Sequence, residues 1–145
     1  MGVTIGTELS PDAIKLLQGD RTVVLATVDA NGWPDTAPFA WAVAKDTRTV
    51  RVAVNHQVAT LENIRRNGRI RICLVGGGQT ISIKGNGSVV KERMASVALP
   101  TAMVEIAVEE VKNDAVMGRI DGEKVRWDRR GEVASDSAIV GELLS

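Results

Sequence analysis

The chain has 145 residues, of which 44% are apolar and 25% charged, the proportions of an ordinary globular domain. Its 18 basic residues balance 18 acidic ones, which excludes a net field that would draw it to nucleic acid or to an anionic membrane. Cys73 is the only cysteine and His56 the only histidine, so neither an intramolecular disulfide nor a Cys/His metal cluster can form.

Residues 1–8 show neither a basic start nor an apolar run of signal-peptide length, and no stretch approaches the ~20 apolar residues of a membrane helix. A cytoplasmic location is therefore expected. Ser10-Pro11-Asp12 reads as a helix start: serine caps free amides, proline fits the first helical position and aspartate suits the positive end. Ala13, Ile14, Leu16 and Leu17 supply an apolar side, and Gly19 ends the helix.

From Thr22 the period changes. Thr22 to Val28 is β-branched and apolar, Asp29-Ala30-Asn31-Gly32 turns, and Asp35 to Val43 resumes the pattern, so the two runs predict a hairpin. Pro38 cannot donate to a ladder and argues for an edge, a bulge or a strand end. Lys45 to Arg48 is a second polar turn, and Thr49 to Val54 a third strand. Val58 to Asn67 has helical spacing, with Val58, Leu61 and Ile64 on one face.

Arg69 to Val75 reads as a fourth strand, in which Cys73 is expected to be a buried, inert thiol. The basic cluster Arg65, Arg66, Arg69 and Arg71 reads as a solvated helix end and strand start. Gly76-Gly77-Gly78 lacks the Lys-Ser/Thr of a phosphate loop and predicts a flexible hairpin into Thr80 to Lys84. Gly85 and Gly87 interrupt the run before Ser88 to Val90, the mark of a bulge or bend.

Glu92 to Met103 is compatible with a short helix, and Met103 to Glu109 alternates as a strand with one wet face. A turn at Asp121-Gly122 precedes an expected last strand, Lys124 to Trp127. The tail beyond Asp128 is polar except for Ile139-Val140 and Leu143-Leu144, which either dock on a partner or fray. The sum is one mainly β domain over 1–145, a six- to seven-stranded antiparallel barrel with a few short helices, its core at 9–128 and a tail at 129–145.

Particular residues add more than the pattern. Leu9-Ser10-Pro11 leads to Val24-Leu25-Ala26-Thr27-Val28-Asp29-Ala30-Asn31-Gly32, then Pro34 and Ala37-Pro38; the strand ending at Asn55 leads to Leu61-Glu62-Asn63-Ile64-Arg65-Arg66-Asn67; and Ile81-Ser82-Ile83-Lys84-Gly85 precedes a valine-rich strand. This ordered set, over about residues 9 to 90, resembles the FMN-binding split barrels related to pyridoxamine-phosphate oxidase.

The resemblance implies a split barrel that works as a homodimer, with FMN at the subunit interface. It assigns cofactor contacts to Pro38, Phe39, Ala40 and Trp41, to Ala53, Val54 and Asn55, to Val58, Ala59 and Thr60, and to the strand from Gln79 and Thr80 to Ser82. An ungapped match from Asn55 through Arg69 puts Ala59 and Thr60 where the oxidase branch carries an arginine-lysine pair. The implied function is thus a flavin-dependent redox protein, a reductase, oxidase or electron carrier, rather than pyridoxamine-phosphate oxidase itself. The alternatives are a divergent barrel that binds a deazaflavin, haem or another tetrapyrrole, and a non-enzymatic dimeric binding module whose apolar tail residues serve association. No Ser/His/Asp arrangement is readable with one histidine, so any chemistry would belong to the cofactor.

Overall fold

The computed structural model describes residues 3–114 and 135–145. The expected Asp121-Gly122 turn, the Lys124 to Trp127 strand and the Trp127 side chain lie outside the described residues. The element order is β1 (Val3–Gly6), α1 (Pro11–Leu16), β2 (Val23–Val28), β3 (Pro34–Phe39), β4 (Ala42–Asp46), β5 (Thr49–Asn55), α2 (Ala59–Arg66), β6 (Arg69–Gly76), β7 (Gln79–Lys91), β8 (Thr101–Asn113) and α3 (Asp136–Leu144).

Local chemistry accounts for the turns. At α1, Ser10 accepts a hydrogen bond from the Ala13 amide at 3.2 Å, with Pro11 in the first helical position. The β2–β3 hairpin turns on Asp29, whose Oδ1 accepts from the amides of Asn31 and Trp33 at 2.8 and 2.9 Å. Only Gly32 there has positive φ, at +83°, so a three-residue loop, not a two-residue one, makes the connection. The β6–β7 hairpin is the two-residue kind, with Gly77 and Gly78 at φ +59° and +81°. Those glycines serve a turn.

Among the described residues the strands form one antiparallel sheet in the order β3-β2-β6-β7-β8-β5-β4, with β1 paired to β8. β3 and β4 are separated in sequence only by Ala40 and Trp41, yet they stand at opposite ends of that order. The sheet must therefore curl until its two ends approach, and no ladder joins them. This is an antiparallel split barrel. Pro38, opposite Val24 on the terminal strand β3, needs no amide on its outer side.

Alternation fills the barrel. In β6, Ile70, Ile72 and Leu74 are buried while Arg69, Arg71, Cys73 and Val75 are exposed. They meet Leu25, Val50, Val52, Val54, Ile81, Ile83, Val104 and Ile106, with Leu61 and Ile64 of α2 closing one end. Each such aliphatic side chain contributes about 1.5–3 kcal/mol by leaving water. A second, smaller core lies outside the sheet: Val43, Ala53 and Met103 pack against Met94, Val97, Ile139 and Leu143. β5 and β8 are consequently covered on both faces where Ala53 and Met103 meet this outer core.

Several expectations change. Cys73 is exposed, because it points outward on the alternating strand β6. The run from Asp35 to Val43 divides into β3 and β4, and Thr80 to Val90 lies within a single 13-residue strand, β7 (Gln79–Lys91), with a bulge between Lys84 and Gly85. Residues 92–100 form bends, not a helix, and β8 already begins at Thr101. Met94 and Val97 owe their burial to the outer core, which imitated a helical spacing. β1 had no sequence signal that stood out from the polar start. The tail forms α3, and its Ile139 and Leu143 are buried against the chain's own barrel, while Leu144 stays 48% exposed.

Candidate functional site

The split between β3 and β4 creates a cleft. The chain leaves β3 at Phe39, crosses at Ala40 and Trp41, and enters β4; beside it β5 ends at Asn55, where the backbone turns into α2 at Val58. The cleft between these ends has a volume of about 290 Å³. Pro38, Phe39, Ala40, Trp41, Ala53, Asn55 and Val58 line it from this side, and Val97, Leu99 and Thr101 from the other. Among the described residues no charged side chain lines it.

Of the residues nominated from sequence for a cofactor, Pro38 to Trp41, Ala53, Asn55 and Val58 come together here. Val54 points into the barrel and is fully buried. Thr60 is 2% exposed, and Ala59 sits on the exposed side of the first turn of α2. Gln79 and Thr80 lie elsewhere. The Thr80 carbonyl accepts from Asp114 just past the far end of β8, whereas the cleft residue Thr101 begins that strand. Gln79 Nε2 instead donates to Asp12 at 2.6 Å.

Val97, Leu99 and Thr101 were not nominated. The helical reading of Glu92 to Met103 hid them, although Pro100 inside that stretch is a signal against a continuous helix.

α2 begins at this cleft without a side-chain cap. Val58 precedes it in an extended conformation and makes no side-chain capping bond, so the first helical amides keep donor capacity and partial positive charge. Two bonds hold the turn before it. Asn55 Oδ1 accepts from the Gln57 amide at 2.8 Å, and the Val58 amide donates to the Asn55 carbonyl at 3.1 Å.

His56 is exposed, and its Nε2 donates to the Glu92 carbonyl at 2.7 Å while its backbone amide donates to the Pro100 carbonyl at 3.0 Å. The histidine thus ties the cleft's far wall to the end of β5. Arg65 supports the same wall, donating to both Glu92 carboxylate oxygens at 2.9 and 2.7 Å. Those hydrogen bonds hold the Glu92 carboxyl below its ordinary value.

The outer core backs the cleft. Trp41 Nε1 donates to Asp136 Oδ1 at 3.0 Å. The Glu142 carboxylate, also on α3, accepts from the amides of Ala95 and Ser96 at 3.0 and 2.7 Å and from the Ser96 hydroxyl. Lys91 Nζ stands 2.8 Å from it. Burial opposes the charge on Glu142, but the Lys91 ammonium and the Ser96 and Ala95 donors prevail and hold its carboxyl at about 2.

Curled antiparallel sheet, terminal strands that meet without pairing, and a cleft at the start of the inserted helix define the class: a split-barrel protein with a largely apolar cleft. The pyridoxamine 5'-phosphate oxidase family model matches residues 9–127. The chain belongs to that family. Solved structures agree on the fold. HupZ of Group A Streptococcus is 24% identical with a TM-score of 0.65, covering 79% of this chain and 99% of HupZ. A candidate pyridoxamine 5'-phosphate oxidase of Lactobacillus delbrueckii is 20% identical with a TM-score of 0.65, covering 77% and 98%. An FAD-binding protein of Mesorhizobium loti is 17% identical with a TM-score of 0.56, covering 79% and 97%. None of the curated proteins matches the chain. Among the described residues no helix is long and apolar enough to cross a membrane.

Proposed function

We propose that the cleft holds the isoalloxazine ring of FMN and that the protein is a cytoplasmic, homodimeric flavin-dependent redox protein. The observation that carries this reading is convergence: Pro38 to Trp41, Asn55 and Val58 meet Val97, Leu99 and Thr101, from far along the chain, in one apolar cleft that opens at an uncapped helix start. Apolar walls with few polar groups suit a flat aromatic ring. The backbone groups of Val54 and Asn55 suit its polar edge, and Trp41 suits its face. The backbone amides of Ala59 and Thr60 at the start of α2 suit the phosphate. Bound flavin would supply the electron or hydride transfer; this chain would bind the ring, orient it and exclude water.

The cleft's roughly 290 Å³ lies at the small end for a cofactor site, which supports completion by a second subunit. Gln79 and Thr80, remote from the cleft within one chain, would then contact the cofactor from the partner. The absence of a cation from the lining among the described residues also motivates a second reading, a ligand without a phosphate clamp such as a tetrapyrrole.

The absorbance spectrum of the purified protein and thermal shifts with FMN, FAD, a deazaflavin and haem test this. FMN should raise Tm by binding the folded state alone, and Trp41→Ala should reduce that shift. A colourless protein that FMN does not stabilise would overturn the flavin reading, and stabilisation by haem alone would select the second. A monomer on sizing in the presence of FMN would refute the shared site.

A further inference from the structure

A second cavity, of about 690 Å³, lies away from the cleft, between the β2–β3 hairpin and the paired strands β6 and β7. It exists because a ladder stops short. β2 pairs with β6 from Val24 opposite Cys73 only to Ala26 opposite Arg71, while β2 itself runs on to Val28 with β3. Beyond Ala26 the two strands diverge, and the bulge between Lys84 and Gly85 bends β7 at the same level.

Three cations surround this opening. Among the described residues Arg69, Arg71 and Lys84 line the cavity, all exposed, with Glu109 also in the lining and Glu110 opposite Lys84 in the β7–β8 ladder. Arg71 stands directly opposite Lys84 in the β6–β7 ladder, and Arg69 lies two residues along the same face. Directly opposed residues have Cβ atoms only about 4.5–5.5 Å apart, and like charges there oppose folding. Among the described residues none of the three side chains makes an ion pair or a hydrogen bond. The neighbouring basic residues differ: Arg65 is satisfied by Glu62 and Glu92, and Arg66 reaches Asn63.

An exposed aromatic lies one residue from the lining. Trp33 is 70% exposed at the hairpin tip, between Gly32 and Pro34, both of which line the cavity. Cations that make no ion pair can hold a phosphate, and an exposed indole one residue from the lining offers a stacking face for an attached aromatic base.

We propose that this cavity is a binding site for a pyrophosphate-bearing small molecule of nucleotide size, with Arg69, Arg71 and Lys84 holding the phosphates and Trp33 stacking on the base. The site is separate from the flavin cleft and does not depend on it.

Calorimetric titration and thermal shift with two probes, inorganic pyrophosphate and ADP, test the proposal on the full chain. Both probes should bind, ADP several-fold more tightly, and both affinities should fall as salt rises. The double variant R71Q/K84Q should weaken both at least tenfold and leave any FMN titration unchanged. W33A should bring ADP down to the level of pyrophosphate. Without ligand, R71Q should melt no lower than the native protein, since it removes a like-charge opposition from an exposed position. Neither probe binding at millimolar concentration, or binding that survives R71Q/K84Q, would overturn the site. ADP binding no tighter than pyrophosphate would overturn the role of Trp33.

Discussion

The Trp41 indole and the Asp136 carboxylate, 95 positions apart in sequence, meet at 3.0 Å and join the wall of the cleft to the first turn of the C-terminal helix. Trp41 is partly buried against the outer core that α3 completes. The helix therefore fixes the orientation of a tryptophan that lines the cleft. Asp136→Ala removes the acceptor, a loss of about 0.5–1.5 kcal/mol, while Asp136→Asn keeps an oxygen in place. The expected result is a several-fold weaker fluorescence-monitored titration with FMN for Asp136→Ala and near-native behaviour for Asp136→Asn. Equal affinities in all three proteins would show that the contact does not shape the cleft.

The same helix contributes stability through its inner face. Leu143 is fully buried in the outer core and Leu144, the next residue, is 48% exposed. Leu143→Ala should cost about 2–5 kcal/mol, the range for a buried leucine that leaves a cavity. Leu144→Ala should stay within about 0.5 kcal/mol in a monomer. Urea unfolding of both variants measures the difference, and a large loss for Leu144→Ala would mean that this residue is covered by another subunit.

Glu142 makes the outer core sensitive to acid. Its carboxyl is held at about 2 against an ordinary value of 4.5, so the folded state binds its proton less readily than the unfolded chain does. The stabilisation is then complete above pH 4.5 and disappears as pH falls from 4.5 through about 2. Glu142→Gln should lower Tm at pH 7 and flatten the melting profile across that acid window. Parallel profiles for the two proteins would rule out the Glu142 carboxylate as the acid-labile group.

Most strands and the two barrel helices were legible from the sequence, and the stretch between β7 and β8 was not. β6 alternates cleanly because only Ile70, Ile72 and Leu74 face the core, and α1 carries its start signals in Ser10 and Pro11. Met94 and Val97 misled because they are buried by a helix more than 35 residues downstream, a tertiary cause that no local period contains. For the cleft, the resemblance located Pro38 to Trp41, Asn55 and Val58. The far wall of Val97, Leu99 and Thr101, and the Asp136 and Glu142 anchors behind it, depend on where α3 docks. The larger cavity was invisible for the opposite reason: Arg69 and Arg71 read as solvated until the ladder brought Lys84 opposite Arg71.

Two glycines with opposite surroundings give a paired prediction. A Cβ built on Gly85 would stand 2.5 Å from the Ala107 carbonyl oxygen and 2.7 Å from Ile106 Cγ2. The oxygen belongs to the backbone of β8 and cannot swing aside, so Gly85→Ala must shift the β7–β8 ladder at its bulge. Such overpacking costs about 1–3 kcal/mol. Gly141 lies within α3 on its exposed side, and a Cβ there meets nothing within 4 Å. Gly141→Ala removes the excess backbone entropy of glycine in a helix and should gain about 0.5–1 kcal/mol. Melting curves should therefore move in opposite directions for the two substitutions. A fall for Gly141→Ala would mean that α3 packs more closely, on its own barrel or on a second subunit, than an open flank at Gly141 allows.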